Sequence, residues 1–305
     1  MTRRIKEELE GLLSRGWDRG AAESVRELVS ALDRERVFAE KLDKIARGFA
    51  LDGRLGLAEA LSETALERSG TGISGDGADL LLILASLPYL HDRYRKENIP
   101  DDIFYDSMDD IRCKVRECIE CKGEAGTFVA GWYDGFFNMT RFAYGRFQYE
   151  PVVYGGDVIR LSCGSVLERG GTFINFHIPS SGVPLTDDVR LDSYRRAYPH
   201  YAHLFGDGVV IFGCDSWLLY PAHRGFLPEG SNILRFMDDF EVIKGRDEPV
   251  FGDKWRVFGR FSDLDADKLP RDTSLRAAYA DRLTSGKPTG EGFGVFAFDG
   301  QNIIK

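Results

Sequence analysis

The sequence predicts an α+β fold in two parts: a helical N-terminal domain over residues 1–138, then a mixed-sheet α/β domain over residues 139–305. Three observations carry this expectation. Apolar residues recur at helical spacing through the first part. From Arg141 the period becomes two, the spacing of a half-buried strand. Between Thr172 and Tyr220 a strand, a small-residue loop, a helix and a second strand follow one another, which is the order of a crossover unit.

In the first part, Ile5, Leu9, Leu12 and Leu13 share one helical face. So do Val25, Leu28, Val29 and Leu32, and then Val37, Leu42, Ile45 and Phe49. The glycine-rich run Ser69–Gly77 has no Lys-Ser/Thr after its glycines and no strand before it, so it reads as a connector and not a phosphate loop. Two more helices are expected, Asp79–Tyr94 with Pro88 inside it and Ile103–Lys122.

In the second part, Phe142, Tyr144, Arg146 and Gln148 alternate with Ala143, Gly145, Phe147 and Tyr149. A turn at Gly155-Gly156-Asp157, a strand over Val158–Leu167 and a turn at Arg169-Gly170-Gly171 lead to the central strand. That strand, residues 172–178, places Ile174, Phe176 and Ile178 on one face and Phe173, Asn175 and His177 on the other. Pro179 ends it, because proline has no N–H for a ladder. Ser180–Pro184 is a loop, and Thr186, Asp187 and Asp188 open a helix through about Tyr198. Val209–Cys214 is the second strand; lying in the same sheet, it would run parallel to the first with a right-handed connection. Downstream come a helix over Asn232–Val242 with Ser231 as N-cap, a strand over Trp255–Phe261, a helix over Thr273–Thr284 and a strand over Gly294–Phe298.

Composition narrows the function classes. The chain has 305 residues, 43% hydrophobic and 12% aromatic, enough for a full-sized core. A net charge of −9 disfavours a broad nucleic-acid or anionic-membrane surface. Met1-Thr2-Arg3-Arg4 leads into a charged segment and not a secretory signal, and the most apolar window, Ala78–Leu90, is too short to span a bilayer. The five cysteines, an odd number, favour a reducing cytoplasm over a disulfide framework. Cys118 and Cys121 form one CxxC with Cys113 upstream; no second pair stands at zinc spacing, so these read as buried thiols, and no metal is expected.

A crossover unit has a natural ligand position outside the carboxyl ends of its strands, facing the N–H groups of the helix N-terminus. His177 stands there, with the ordinary imidazole pKa of about 6.5 that suits a general base; the alternative is a hydrogen-bonded structural histidine. Asp215 and Ser216 either orient a substrate or end the second strand in a side-chain turn. Cys214 is a nucleophile paired with His177 or a buried thiol. Glu150 faces an acceptor or solvent. Trp217, Phe147 and Phe236 read as core.

The segments Tyr144–Glu150, Phe176–Pro179 with Gly182 and Leu185, Cys214–Leu219, and Ser231–Ile233 with Phe236 together resemble a bacterial GNAT-like acyltransferase family. In it an N-acyltransferase N-terminal helical domain precedes a GNAT-like C-terminal domain. The resemblance implies that the two parallel strands splay apart and that the pantetheine arm of acyl-CoA, or of acetyl-CoA, lies in the gap. It places Ser180, Ser181, Gly182 and Val183 in the pyrophosphate loop, Asn232 beside the pantetheine amides, and Tyr220 where it could protonate the leaving thiolate. The loop departs from the common pattern of Arg or Gln followed by Gly-x-Gly or Gly-x-Ala: it has one glycine, and Pro184 removes an N–H. The implied activity is transfer of an acyl group from acyl-CoA, or from an acyl carrier protein thioester, to a small-molecule amine or hydroxyl. The rival is a non-catalytic protein that binds a CoA-like ligand on the same scaffold.

Overall fold

The computed structural model describes residues 3–305. It divides into two compact units, with the division after Phe142.

The first unit contains α1 (Arg3–Leu13), α2 (Arg19–Arg34), α3 (Arg36–Ala50), α4 (Leu57–Glu67), α5 (Gly75–Lys96), α6 (Asp101–Met108), α7 (Asp110–Lys122) and α8 (Asp134–Phe137). Most of the periodic apolar positions are the buried ones: Ile5, Leu9, Leu12, Leu13, Val25, Val29, Leu32, Leu42, Ile45 and Phe49. Val37 is 69% exposed, and Phe38 takes the inward position instead. The connector ends sooner than expected. Ser74 Oγ accepts from Gly77 N at 3.0 Å, so Gly75–Gly77 form the first turn of α5. The expected helix Ile103–Lys122 is two helices, α6 and α7, that meet at Asp109, whose carboxylate takes the Arg112 fork at 2.8 and 2.7 Å. The buried His91 ring lies between Glu8 and Asp101, tying α1 and α6 to α5. All cysteines are free thiols. Burial pushes Cys113 and Cys118 up to about 12, which makes them inert at neutral pH. Among the described residues no group of His, Cys, Asp and Glu could hold a metal ion, and no helix is long and apolar enough to cross a membrane.

The second unit is built on a mixed sheet. Its strands are β1 (Phe142–Tyr144), β2 (Phe147–Val153), β5 (Thr172–His177), β6 (Val210–Ser216), β7 (Glu241–Glu248), β8 (Thr289–Phe298) and β9 (Ile303–Ile304). The order is β1-β2-β5-β6-β8-β7, with β9 on β8; β3 (Ile159–Arg160) and β4 (Val166–Leu167) form a separate hairpin. The central pair β5–β6 is parallel, joined by α9 (Asp187–Tyr201) as the crossover helix; every other described strand pairing is antiparallel.

Several expectations are corrected. The period-two run from Arg141 is a hairpin, because Gly145 at φ +67 turns the chain between β1 and β2. Val158–Leu167 folds back on itself as β3–β4. The expected helix Asn232–Val242 stops at Met237 as α10 (Asn232–Met237), and the residues from Glu241 become β7. Trp255–Phe261 is helical: α11 (Lys254–Phe258) buries the neighbours Val257 and Phe258 together, which a strand would place on opposite faces. The last helix falls where it is expected, as α12 (Ser274–Thr284), with the Thr273 side chain accepting from Arg276 N as its cap.

The sheet has two unlike faces. On one, Phe147, Phe176, Phe212, Phe296 and the α9 residue Tyr194 form a continuous aromatic core, with Tyr194 centroids 4.9–5.9 Å from those four rings. The 217–221 segment crosses the same face over the glycines of β8. A Cβ on Gly292 would lie 2.2 Å from the Leu219 carbonyl oxygen, so no side chain fits there. On the other face Phe173, Ile211, Val295 and Ala297 pack against Ile159, Leu161 and Leu167 around the β3–β4 hairpin.

Candidate active site

β5 and β6 are registered at only two positions, Ile174↔Phe212 and Asn175↔Gly213. β5 runs on to His177, held on its outer side by β2 (Gln148↔His177). β6 runs on to Ser216, held on its outer side by β8 (Ser216↔Gly292). Each strand therefore keeps its outer neighbour while the pairing between them ends. The sheet opens at the carboxyl ends of its two parallel strands, where residues 176–177 and 214–216 flank a gap.

On the aromatic face, the loop after β5 and the start of α9 stand beside this gap. The β1–β2 turn latches the loop: Arg146 donates to the carbonyls of Pro179 at 2.8 Å and Val183 at 2.9 Å. Gly182, at φ +83, gives the loop a turn that a side chain would strain. Ser181 Oγ accepts from Val183 N at 3.3 Å, and Val183 is 45% exposed. Thr186 occupies the N-cap position without making the side-chain cap bond. The exposed Asp188 takes that part: the Thr186 hydroxyl and then the Val189 amide hold its carboxyl below the usual carboxylate range. The helix N-terminus thus already carries one carboxylate of its own.

Arg190, in the first turn of α9, is buried and forks onto Asp239 at 2.7 and 2.9 Å. It also donates to Leu185 O at 2.7 Å, to Asp187 and to Arg235 O, while Tyr194 OH donates to Asp239 at 2.9 Å. Burial opposes the guanidinium charge, but Asp239 outweighs it and raises the pKa of Arg190. This cluster fixes the loop, the helix start and the end of α10 relative to one another. The sequence signal for it is an arginine in the first helical turn, where the dipole disfavours a cation and only a strong partner keeps one buried.

On the opposite face the residues beside the gap are polar. The register puts Gln148, Glu150, Asn175, His177 and Asp215 on one side of the sheet. His177 Nε2 lies 2.6 Å from Glu150 Oε1, with the Asn175 amide nitrogen 3.2 Å from the same ring nitrogen. Both partners of the pair are mostly covered, at 23% and 17% side-chain exposure. Asp215 is exposed across the gap.

The other candidates are placed differently. Ser216 and Tyr220 belong to the aromatic face, not to His177's. Ser216 Oγ accepts from Leu218 N at 3.2 Å and caps the turn that follows β6. Tyr220 is buried; its hydroxyl donates to Asp247 at 2.5 Å and lies 3.3 Å from Arg282. Burial and then Asp247 raise its pKa. Cys214 is buried on the aromatic side and its thiol is pushed far up by burial, so no thiolate is available to pair with His177. Asn232 is the exposed first residue of α10, behind Ser231, whose hydroxyl accepts from Leu234 N at 3.3 Å. Phe147 and Phe236 are fully buried and Trp217 is half-buried against Phe251 and Tyr279. Reasoning from sequence missed the Glu150–His177 bond, the Arg146 latch and the Arg190–Asp239 fork.

Comparison with known proteins agrees with this architecture. Residues 142–296 match the model of the GNAT-like C-terminal domain, and residues 7–139 match that of the N-acyltransferase N-terminal domain. No curated protein matches the chain. Among solved structures, an acyltransferase in complex with decanoyl-CoA and teicoplanin superposes with a TM-score of 0.68 at 21% identity, over 98% of this chain and 88% of that one. An acyltransferase in complex with CoA and 10C-teicoplanin gives 0.68 at 20% identity, over 95% and 87%. A mutant acyltransferase in complex with octanoyl-CoA gives 0.67 at 20% identity, also over 95% and 87%. At these identities the likeness is one of fold.

Proposed function

The chain belongs to the GNAT-like acyltransferase family that joins these two domains, and from that premise we propose that it moves an acyl group from acyl-CoA to an amine or hydroxyl acceptor. The observation that carries the reading is the gap between β5 and β6, with different chemistry on its two sides. On one side a latched loop and a helix N-terminus offer backbone N–H groups to a phosphate. On the other stands His177. A donor anchored at residues 180–183, with Asn232 beside its pantetheine amides, would pass its thioester through the gap, and the acceptor would approach from the polar face.

In the step itself the acceptor's lone pair attacks the thioester carbonyl as His177 takes its proton. The carbon–sulfur bond then breaks, and the CoA thiolate leaves and is protonated. A positioned base contributes on the order of 10²–10⁴-fold to such a step. Ser216 lies on the donor side of the gap, where its hydroxyl could steady the thioester. Tyr220 also lies there, but its proton is committed to the Asp247 carboxylate, so no step is routed through it. Two of the structural relatives are bound to teicoplanin or 10C-teicoplanin, so teicoplanin is the first small-molecule acceptor to test, beside simple amines and alcohols.

The test is calorimetry with decanoyl-CoA, acetyl-CoA and free CoA, followed by thiol release in the presence of amine and hydroxyl acceptors. Binding with acceptor-dependent thiol release supports the proposal; binding without release supports a non-catalytic CoA-binding protein. Loss of CoA affinity in favour of an acylated carrier protein would change the donor. Gly182→Val should weaken CoA by about tenfold, since the left-handed backbone costs a branched residue about 1–2 kcal/mol and the loop would shift. Unchanged affinity in the folded variant would move the donor site elsewhere.

A further inference from the structure

The Glu150–His177 contact goes beyond a base standing at a strand end. Glu150 is a central residue of β2, one register step from Gln148, which faces His177 across the ladder. The backbone ladder thus sets the distance between the two side chains, and neither has to be ordered from a loop. Charged carboxylates only accept hydrogen bonds, so at 2.6 Å the Nε2 atom must carry the proton. The Asn175 amide, 3.2 Å from the same nitrogen, becomes a second acceptor when it presents its oxygen.

We propose that Glu150 is a positioning residue for His177: it accepts the Nε2 proton, fixes that tautomer and leaves Nδ1 as the nitrogen that takes the acceptor's proton. The inference rests on the acyl-transfer reading above and adds to it the residue that orients the base. When Nδ1 takes the proton of the attacking amine or hydroxyl, the ring becomes an imidazolium whose charge Glu150 offsets. The proton later leaves from Nδ1 to solvent or to the departing thiolate, and Glu150 itself ends unprotonated. The other groups that the register puts on this side of the sheet are the neutral Gln148 and Asn175, the exposed Asp215 on β6, and Glu291 on β8, which is ion-paired with Arg246 of β7; further along β7 stand Lys244, Glu248 and Glu241, the last accepting from Ser162 N. None of these is changed by a substitution at position 150.

Glu150→Gln keeps the shape and removes the charge. It should lower kcat by about tenfold or more, short of the 10²–10⁴-fold expected from losing the base itself, with little change in donor KM. It should also move the acidic limb of the pH–rate profile down by about one to three pH units, because the neighbouring negative charge no longer favours the imidazolium. Glu150→Asp should restore part of the rate. A merely structural glutamate would cost thermal stability and leave the limb in place, which overturns the proposal. Should Glu150→Gln fail to fold, imidazole ¹⁵N shifts of the unmodified protein decide: an Nε2–H tautomer supports the proposal, and an Nδ1–H tautomer overturns it. His177→Gln measured beside it separates the two levels of argument. If that variant also turns over normally, the assignment of the base is at fault. A silent Glu150→Gln beside an inactive His177→Gln removes only Glu150.

Discussion

The two faces of the second unit's sheet are made from the same strands, yet each places a histidine in a different physical state. His177 stands on the polar face, partly open, against Glu150. His223 stands over the aromatic face, fully buried among Trp217, Tyr220, Phe226 and Tyr279, with its Nε2 2.6 Å from the Tyr279 hydroxyl. Burial, with a smaller push from Arg282 and against the Leu218 backbone contact that favours the charged ring, lowers the pKa of His223 to about 4, so it stays neutral and shares one hydrogen with the tyrosine hydroxyl. The difference teaches that residue type does not assign function here. A histidine becomes a candidate base where a carboxylate and an open gap meet it, and becomes packing where rings exclude water.

The largest expected effect lies on the polar face. His177→Gln should lower turnover on the order of 10²–10⁴-fold while leaving donor affinity and melting temperature close to the parent. A loss of stability with turnover per folded molecule intact would erase the contrast between the two histidines.

On the aromatic face the large effects should be on stability. Arg190→Met would leave Asp239 without its fork and should cost about 3–5 kcal/mol in urea unfolding, since removing one partner strands the other charge. A cost below about 1 kcal/mol would show that the cluster is no more than a surface ion pair.

His223 sharpens the comparison through pH. Its folded pKa lies below the unfolded value of about 6.5, so the unfolded state binds the proton more readily. The stability that comes from keeping it neutral is therefore full above about pH 6.5 and lost as pH falls toward about 4. Over that window the loss should be of order 2–3 kcal/mol, seen as a falling urea midpoint. His223→Phe should flatten this part of the profile, and a profile that keeps its slope in the variant would put the titration elsewhere.

Tyr220→Phe should be the mildest change. It removes a hydroxyl that donates to Asp247, so stability should fall by about 1–3 kcal/mol with kcat within a few-fold of the parent. A tenfold or larger fall in kcat would place Tyr220 at the leaving thiolate and make the aromatic face catalytic as well.

Much of the fold was legible because local pattern and tertiary outcome agree. The central strand, its proline stop, the small-residue loop and the crossover helix follow from alternation, ring geometry and capping chemistry within one short stretch. Helical periodicity in the first unit marks the residues that its core buries, Val37 being displaced by its neighbour Phe38. Position at a strand end is all that the sequence offers for His177, and its role there is the proposal above. The errors fall where local pattern is ambiguous. Residues 142–149 alternate like one strand, and only the positive φ of Gly145 turns them into two. Trp255–Phe261 is a short apolar run whose period is ambiguous, and the core takes its neighbours Val257 and Phe258 together.

The sequence by itself determined which segments alternate, which recur at helical spacing and where proline and small residues interrupt them, because these depend on the chain's own geometry over a few residues. The tertiary structure alone decided the pairings between distant residues. Glu150 reaches His177 from 27 positions away because β2 and β5 are registered, and Arg190 finds Asp239 49 positions on because α9 meets the end of α10. The gap itself is of this kind. It forms because β2 and β8 hold the outer edges of β5 and β6 past the point where the two strands stop pairing, a balance among four strands that no single stretch of sequence encodes.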